Sequence, residues 1–257
     1  MESAVYVYCA VKSARKPAAA RMPPGLPGAE RAGVYPVEPG VWLVAANVPL
    51  AQYGSSALET SLRDLEWVSG LALAHEAVVE HFTLGRGATV IPMKLFTMFS
   101  TVERAAAEMR RRRRELARVF LRVEGCEEWG VRVTRDGRRP SPPASPSSRP
   151  SSGAAFLEAR KQARDQSRMA LQAAAEAADA AFASLSEIAR DGRRRGDDAP
   201  ADARPLLDAA FLVPARSRRE FHAAAERVAK HVARSGAHLT LTGPWPPYHF
   251  VGAEEAQ

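Results

Sequence analysis

The sequence is short of the features that most often announce a chemistry. It holds one asparagine, Asn47, and two cysteines, Cys9 and Cys126. Two cysteines so far apart cannot make a disulfide framework or complete a four-cysteine zinc site. Both lie in strand-like segments, where free thiols are ordinarily core groups. No run approaches the roughly 20 apolar residues a bilayer crossing needs. The opening Met-Glu-Ser-Ala-Val-Tyr has no basic stretch ahead of an apolar one, so a cytoplasmic protein is expected. Lysine is also scarce. The net charge of +7 is carried almost wholly by arginine in a chain rich in Ala, Pro and Gly. A GC-rich coding bias produces that pattern, which weakens any reading of the charge as a mark of an acidic partner.

Catalytic and metal signatures are missing too. His75-Glu76 begins like a His-Glu-x-x-His zinc motif, but position 79 is Val. His81, six residues on, points to another helix face. His75 falls on an apolar stripe and reads as a hydrogen-bonded core or interface histidine. Gly85-Arg86-Gly87 follows a helix and has Val90 where a third glycine of a dinucleotide loop would stand, so it reads as a turn. There is no nucleophile elbow and no Walker lysine. No enzyme, cofactor or metal is expected. Arg110 to Arg114 form the densest basic run. On a continuous helix they fan out by about 100° each and wrap it; with Glu108 and Glu115 beside them they read as a solvated surface. Without interleaved aromatics, nucleic acid is not an expected partner.

What remains is a globular chain. Its 46% apolar and 25% charged residues suffice to bury a core, and 257 residues suit two domains. Ala4 to Val11 and Val41 to Val48 are expected as strands, the latter covered on both faces because it is nearly all apolar. Ser61 to Leu84 should be a helix with Leu65, Val68, Ala72, Val79 and Phe82 inward. A strand-like Ala88 to Phe96 and a helix over Thr101 to Arg122 follow, the latter with Ala105, Met109, Leu116, Val119 and Phe120 inward. A strand over Trp129 to Thr134 then closes an N-terminal α+β domain, 1–136, ferredoxin-like in outline. Residues 137–153, dense in Pro, Ser and Arg, read as a linker. Residues 154–257 form a second α+β domain. It opens with one long Ala-rich helix, 154–189, whose seam is Leu171, Ala174, Ala178, Ala181, Leu185 and Ile188. An irregular charged stretch, Asp191 to Arg204, precedes a strand over Leu206 to Val213, a helix over Arg216 to Ser235 and a strand over His238 to Thr242.

Gly243 to Tyr248 holds three prolines and a glycine around Trp245 and Tyr248. This stiff, non-helical ribbon suits either a packed latch or a partner-binding ridge. With it, several segments fall in a recognisable order: Val5-Tyr-Val-Tyr8, Leu73-Ala-His-Glu-Ala-Val-Val79, Val90-Ile-Pro-Met-Lys-Leu-Phe-Thr97, Glu128-Trp-Gly-Val-Arg-Val133, Ser152-Gly-Ala-Ala-Phe-Leu157, Ala210-Phe-Leu-Val213 and Leu241-Thr-Gly-Pro-Trp-Pro-Pro-Tyr-His-Phe-Val251. In these the chain resembles the GvpF/GvpL family of gas-vesicle assembly proteins. The resemblance implies a non-catalytic accessory protein with two α+β domains and a coiled-coil helix. It also implies as partners the very hydrophobic shell protein GvpA and other gas-vesicle accessory proteins, and an association with gas vesicles. A minor structural place in the vesicle wall is the alternative. Candidate partner contacts are Trp67, His75, Glu76, Pro92, Trp129, Trp245 and Tyr248.

Overall fold

The tyrosine- and valine-rich run after Glu2 forms β1 (Ser3–Lys12), the inner strand around which the first sheet is built. In the computed structural model, residues 2–83, 87–135, 153–196 and 204–252 are described. The next elements are β2 (Gly33–Glu38), β3 (Val41–Pro49), α1 (Leu50–Tyr53), α2 (Ser55–Ser61), α3 (Leu65–Thr83), β4 (Thr89–Pro92), β5 (Met98–Phe99), α4 (Val102–Arg111) and α5 (Arg113–Val123). The strand order is β2-β3-β1-β4, with β5 also on β1, and every pair is antiparallel. That is the order expected of a ferredoxin-like outline. Its helices, however, cover both faces.

On one face α3 brings Leu71, Val78, Val79 and Phe82 onto Tyr6, Tyr8, Val44 and Val48. On the other, α4 and α5 bring Ala105, Met109, Leu116, Val119 and Phe120 onto Val5, Val7, Leu43 and Ala45. The nearly all-apolar β3 is thus covered on both sides, as its composition requires. A bulge at Tyr8 shifts the pairing of β1 with β3. The extra residue puts Tyr8 and Cys9 into the same core, on the α3 side.

Between β1 and β2 the chain runs as a loop where a helix would ordinarily cross, and tyrosine hydroxyls secure it. Tyr8 Oη accepts from Leu26 N at 3.0 Å, and Tyr53 Oη donates to Pro27 O at 2.7 Å. Met22 and Leu26 are buried beneath. Gly25 allows this approach, because a Cβ there would collide with Tyr8 Oη.

Several boundaries differ from the sequence reading. α3 begins at Leu65, not Ser61, because Asp64 Oδ1 caps it, accepting from Glu66 N at 3.0 Å and Trp67 N at 3.1 Å. Leu65 is therefore outside the core and 79% exposed. The inner stripe is set by Leu71, His75, Val78, Val79 and Phe82. The helix end read at Gly85 lies outside the described residues. β2 was missed because Pro36 interrupts its alternation; as an edge strand it tolerates the proline. The helix expected over Thr101 to Arg122 is broken at Arg112.

The strand Trp129 to Thr134 belongs to β6 (Cys126–Arg135), and its partners correct the domain boundary. β6 lies inside a second sheet, ordered β7-β8-β6-β9. Here β7 is Asp191–Arg194, β8 is Leu207–Pro214 and β9 is Ala237–Trp245, with α6 (Gly153–Ser186) and α7 (Arg218–Arg234) between them. The chain accordingly divides into residues 1–127 with 245–257, and residues 128–244. The linker read over 137–153 lies outside the described residues except for Gly153, which opens α6. The stretch read as irregular after Asp191 contains β7, antiparallel to β8. Its charge is that of an edge strand.

In this second unit one core joins sheet and helices. Trp129, Val131, Val133, Phe211 and Val213 meet Ala174, Ala177, Ala178, Ala181 and Leu185 of α6 and Phe221, Ala225 and Val232 of α7. Most of the expected α6 seam is buried, but Leu171 is 41% exposed, since packing begins only at Ala174. At the end of β9, Gly243 lies so near β6 that a Cβ would come within 2.9 Å of Glu128 O and 3.1 Å of the Trp129 ring.

Candidate functional site

The first unit gathers residues from four of the family-like segments around His75. Tyr6 and Tyr8 come from β1, His75 from α3, Met93 from the turn after β4, and Tyr248 from a single 3-10 turn, Tyr248–Phe250. The Tyr6 hydroxyl and His75 Nδ1 are 2.8 Å apart and share one hydrogen bond. The Tyr8 ring stacks on the imidazole at 5.6 Å, the Tyr6 ring meets it edge-on at 5.7 Å, and the Tyr248 ring lies at 6.2 Å. Met93 N donates to Tyr8 O at 2.9 Å, fixing the turn against the bulge.

Burial decides the electrostatics of this cluster. It holds the His75 imidazole neutral, lowering its pKa from 6.5 to about 4. The Met93 backbone opposes this, and Nε2 is buried with no partner at hydrogen-bonding distance among the described residues. Burial likewise raises Tyr6 and Tyr8, pushes Tyr53 up to about 12, and raises the Cys9 thiol. At neutral pH the cluster therefore holds a neutral imidazole, protonated phenols and an unionised thiol. Among the described residues no group of three or more His, Cys, Asp and Glu is placed to hold a metal, and no helix is long and apolar enough to cross a membrane.

The candidate contacts divide between interior and surface. His75 and Pro92 are buried in the first unit. Trp129 is 4% exposed in the second, where its ring meets His222 edge-on at 4.4 Å. Trp67 is half-buried, stacked on Phe96 at 6.3 Å and near Tyr53 at 6.4 Å. Glu76 is half-buried, its pKa raised by burial and then by Glu80. Tyr248 is half-buried, and Trp245 is 42% exposed.

Sequence reasoning missed a surface on the outer side of α3. Leu62 just before it, and Leu65 and Leu73 on it, are 47%, 79% and 66% exposed. On α3 the eight-residue separation of Leu65 and Leu73 leaves them about 80° apart on its outer side, while Leu62 lies in the turn that leads from α2 into the helix. The signal was present, since leucines lie outside the stripe that Leu71, His75 and Val78 define. Assigning Leu65 to the core concealed it.

The crystal structures of GvpF from Anabaena sp. PCC7120 and from Microcystis aeruginosa share this fold. The first matches with a TM-score of 0.67 at 17% identity, over 99% of this chain and 98% of the other. The second matches with a TM-score of 0.67 at 13% identity, over 97% and 99%. Gas vesicle protein L of Streptomyces sp. (strain CB03234) is 28% identical over 222 residues, 82% of this chain and 80% of that protein. A family model described as gas vesicle synthesis protein GvpL/GvpF matches residues 4–252, and the chain belongs to that family of gas-vesicle accessory proteins.

Proposed function

We propose that the protein binds the hydrophobic shell protein GvpA in the cytoplasm and shields it until it joins a growing vesicle. The observation that supports this reading is the exposed apolar outer side of α3, Leu65 and Leu73, with Leu62 exposed in the turn before it. Leu65 and Leu73 stay in water on a helix whose other side is packed, as a surface meant for an apolar partner would. A shell subunit presents apolar faces and strand edges that aggregate unless covered. Trp67, Glu76, Trp245 and Tyr248 are proposed as flanking contacts. His75, Pro92 and Trp129 act from the interior: His75 couples α3 to the Tyr248 turn, Pro92 ends β4 before the Met93 turn, and Trp129 fills the second core.

Co-purification from cells expressing the full chain with GvpA tests the reading. The Leu65→Asp/Leu73→Asp variant should fold normally and lose GvpA. Undiminished recovery of GvpA with that variant would overturn the proposed surface. Urea-washed vesicles separate the other reading, a minor component of the wall. A shielding factor washes away, whereas a wall component stays.

A further inference from the structure

The opposite face of the first sheet carries a different concavity. The tip of the β2–β3 hairpin and α5 enclose a cavity of about 510 Å³ lined largely by apolar side chains, among them Val37, Val41, Met109, Leu116 and Phe120. Lys12 and Arg113 also line it, with Glu38 as its one carboxylate. Through Arg113 it adjoins a depression of about 610 Å³ lined by residues 110–115 and Arg118, six arginines against one glutamate.

The break at Arg112 (φ −89°, ψ 14°) makes this possible. On an unbroken helix the arginines would wrap the axis, but here α4 stops, α5 restarts, and the run lines one depression. Not all of that charge is neutralised. Glu108 takes the guanidinium of Arg111 in two bonds of 2.8 and 2.6 Å. Glu115 takes that of Arg112 in two of 2.9 and 2.5 Å. Arg110 donates to Val37 O at 3.2 Å. Arg113 and Arg114 have no carboxylate partner among the described residues.

We propose that this groove docks an acidic amphipathic segment of a partner protein, with its apolar side chains in the cavity and its carboxylates on Arg113 and Arg114. Charge complementarity selects the occupant. An apolar floor beside free guanidinium groups matches a peptide carrying both leucine-like side chains and glutamates. Nucleic acid would leave the apolar cavity unused. A second copy of this chain, with its net charge of +7, would bring like charge against like. The site lies across the sheet from α3 and does not depend on the shell-protein reading.

The test uses the full chain and a synthetic amphipathic helix with Leu at i, i+3, i+4 and i+7 and Glu on the flanking positions. Its Lys-for-Glu counterpart and a single-stranded oligonucleotide serve as controls, with binding read by fluorescence anisotropy. The Glu peptide should bind at least tenfold more tightly than the Lys peptide, and less tightly as salt rises. Arg113→Glu/Arg114→Glu should abolish that preference. Ala117→Trp, which changes an exposed residue lining the cavity, should weaken binding about tenfold, the preference for Glu remaining. Melting temperatures of both variants should be unchanged. Equal binding of the two peptides, or none, overturns the proposal. So does tight oligonucleotide binding that depends on the arginines and ignores Ala117→Trp, or a dimer in sedimentation that Ala117→Trp dissociates.

Discussion

The two units arrange their strands alike and cover them differently. Numbered within each unit, both sheets run 2-3-1-4. In the first, the crossover after the opening strand is a loop secured by Tyr8 and Tyr53, and helices pack on both faces. In the second that crossover contains α6, and a single core joins α6 and α7 to the sheet. One strand order can thus support a densely buried sheet with polar clamps or a simpler helix-on-sheet layer. The first arrangement leaves a helix flank free for a partner. The second holds a long helix whose first half carries exposed Phe156, Leu157 and Met169.

If the second unit relies on one core, its largest side chains should matter most. Phe211 is fully buried and lies between Phe182 and Phe221, at 5.4 and 5.6 Å. The alanines of α6 let that helix approach closely but fill little volume. Phe211→Ala should therefore cost about 3–5 kcal/mol, read as a fall in urea midpoint.

The first unit should instead respond to pH through its polar clamp. His75 titrates near 6.5 when unfolded and at about 4 when folded. Between those values the unfolded chain takes up a proton that the folded chain refuses. The contribution is therefore whole above pH 6.5 and is lost as pH falls to 4, about 3 kcal/mol in all. Unfolding followed from pH 7 to 4 should show this loss, and His75→Gln should reduce it.

Tyr6→Phe should have a smaller effect, about 1–3 kcal/mol, by leaving His75 Nδ1 buried without its partner. A cost as large as that of Phe211→Ala would mean that the clamp, not packing, holds the first unit. Smallest of all should be Leu65→Asp/Leu73→Asp, within about 0.5 kcal/mol per site in calorimetry, because both side chains already face water.

These differences were unequally legible in the sequence. The α4–α5 stripe and the strand within β6 follow from local periodicity, and the structure holds them. Pairing does not follow from periodicity. β6 reads equally well as the last strand of one sheet or the first of the next, because its neighbours β8 and β9 lie far downstream. β7 was hidden by charge and β2 by Pro36, both consequences of lying at a sheet edge. His75 was legible as a buried histidine, since it fell among apolar residues with no second ligand in register. Its convergence with Tyr6, Tyr8 and Tyr248 required the fold. The arginine run was read as wrapping its helix because nothing in the residues announced the break at Arg112.

Light scattering from GvpA as it is diluted from denaturant, with and without this protein, tests the shielding role. The full chain should suppress aggregation near one-to-one stoichiometry. Leu65→Asp/Leu73→Asp, with an unchanged melting temperature, should not. Equal suppression by the two proteins would contradict it.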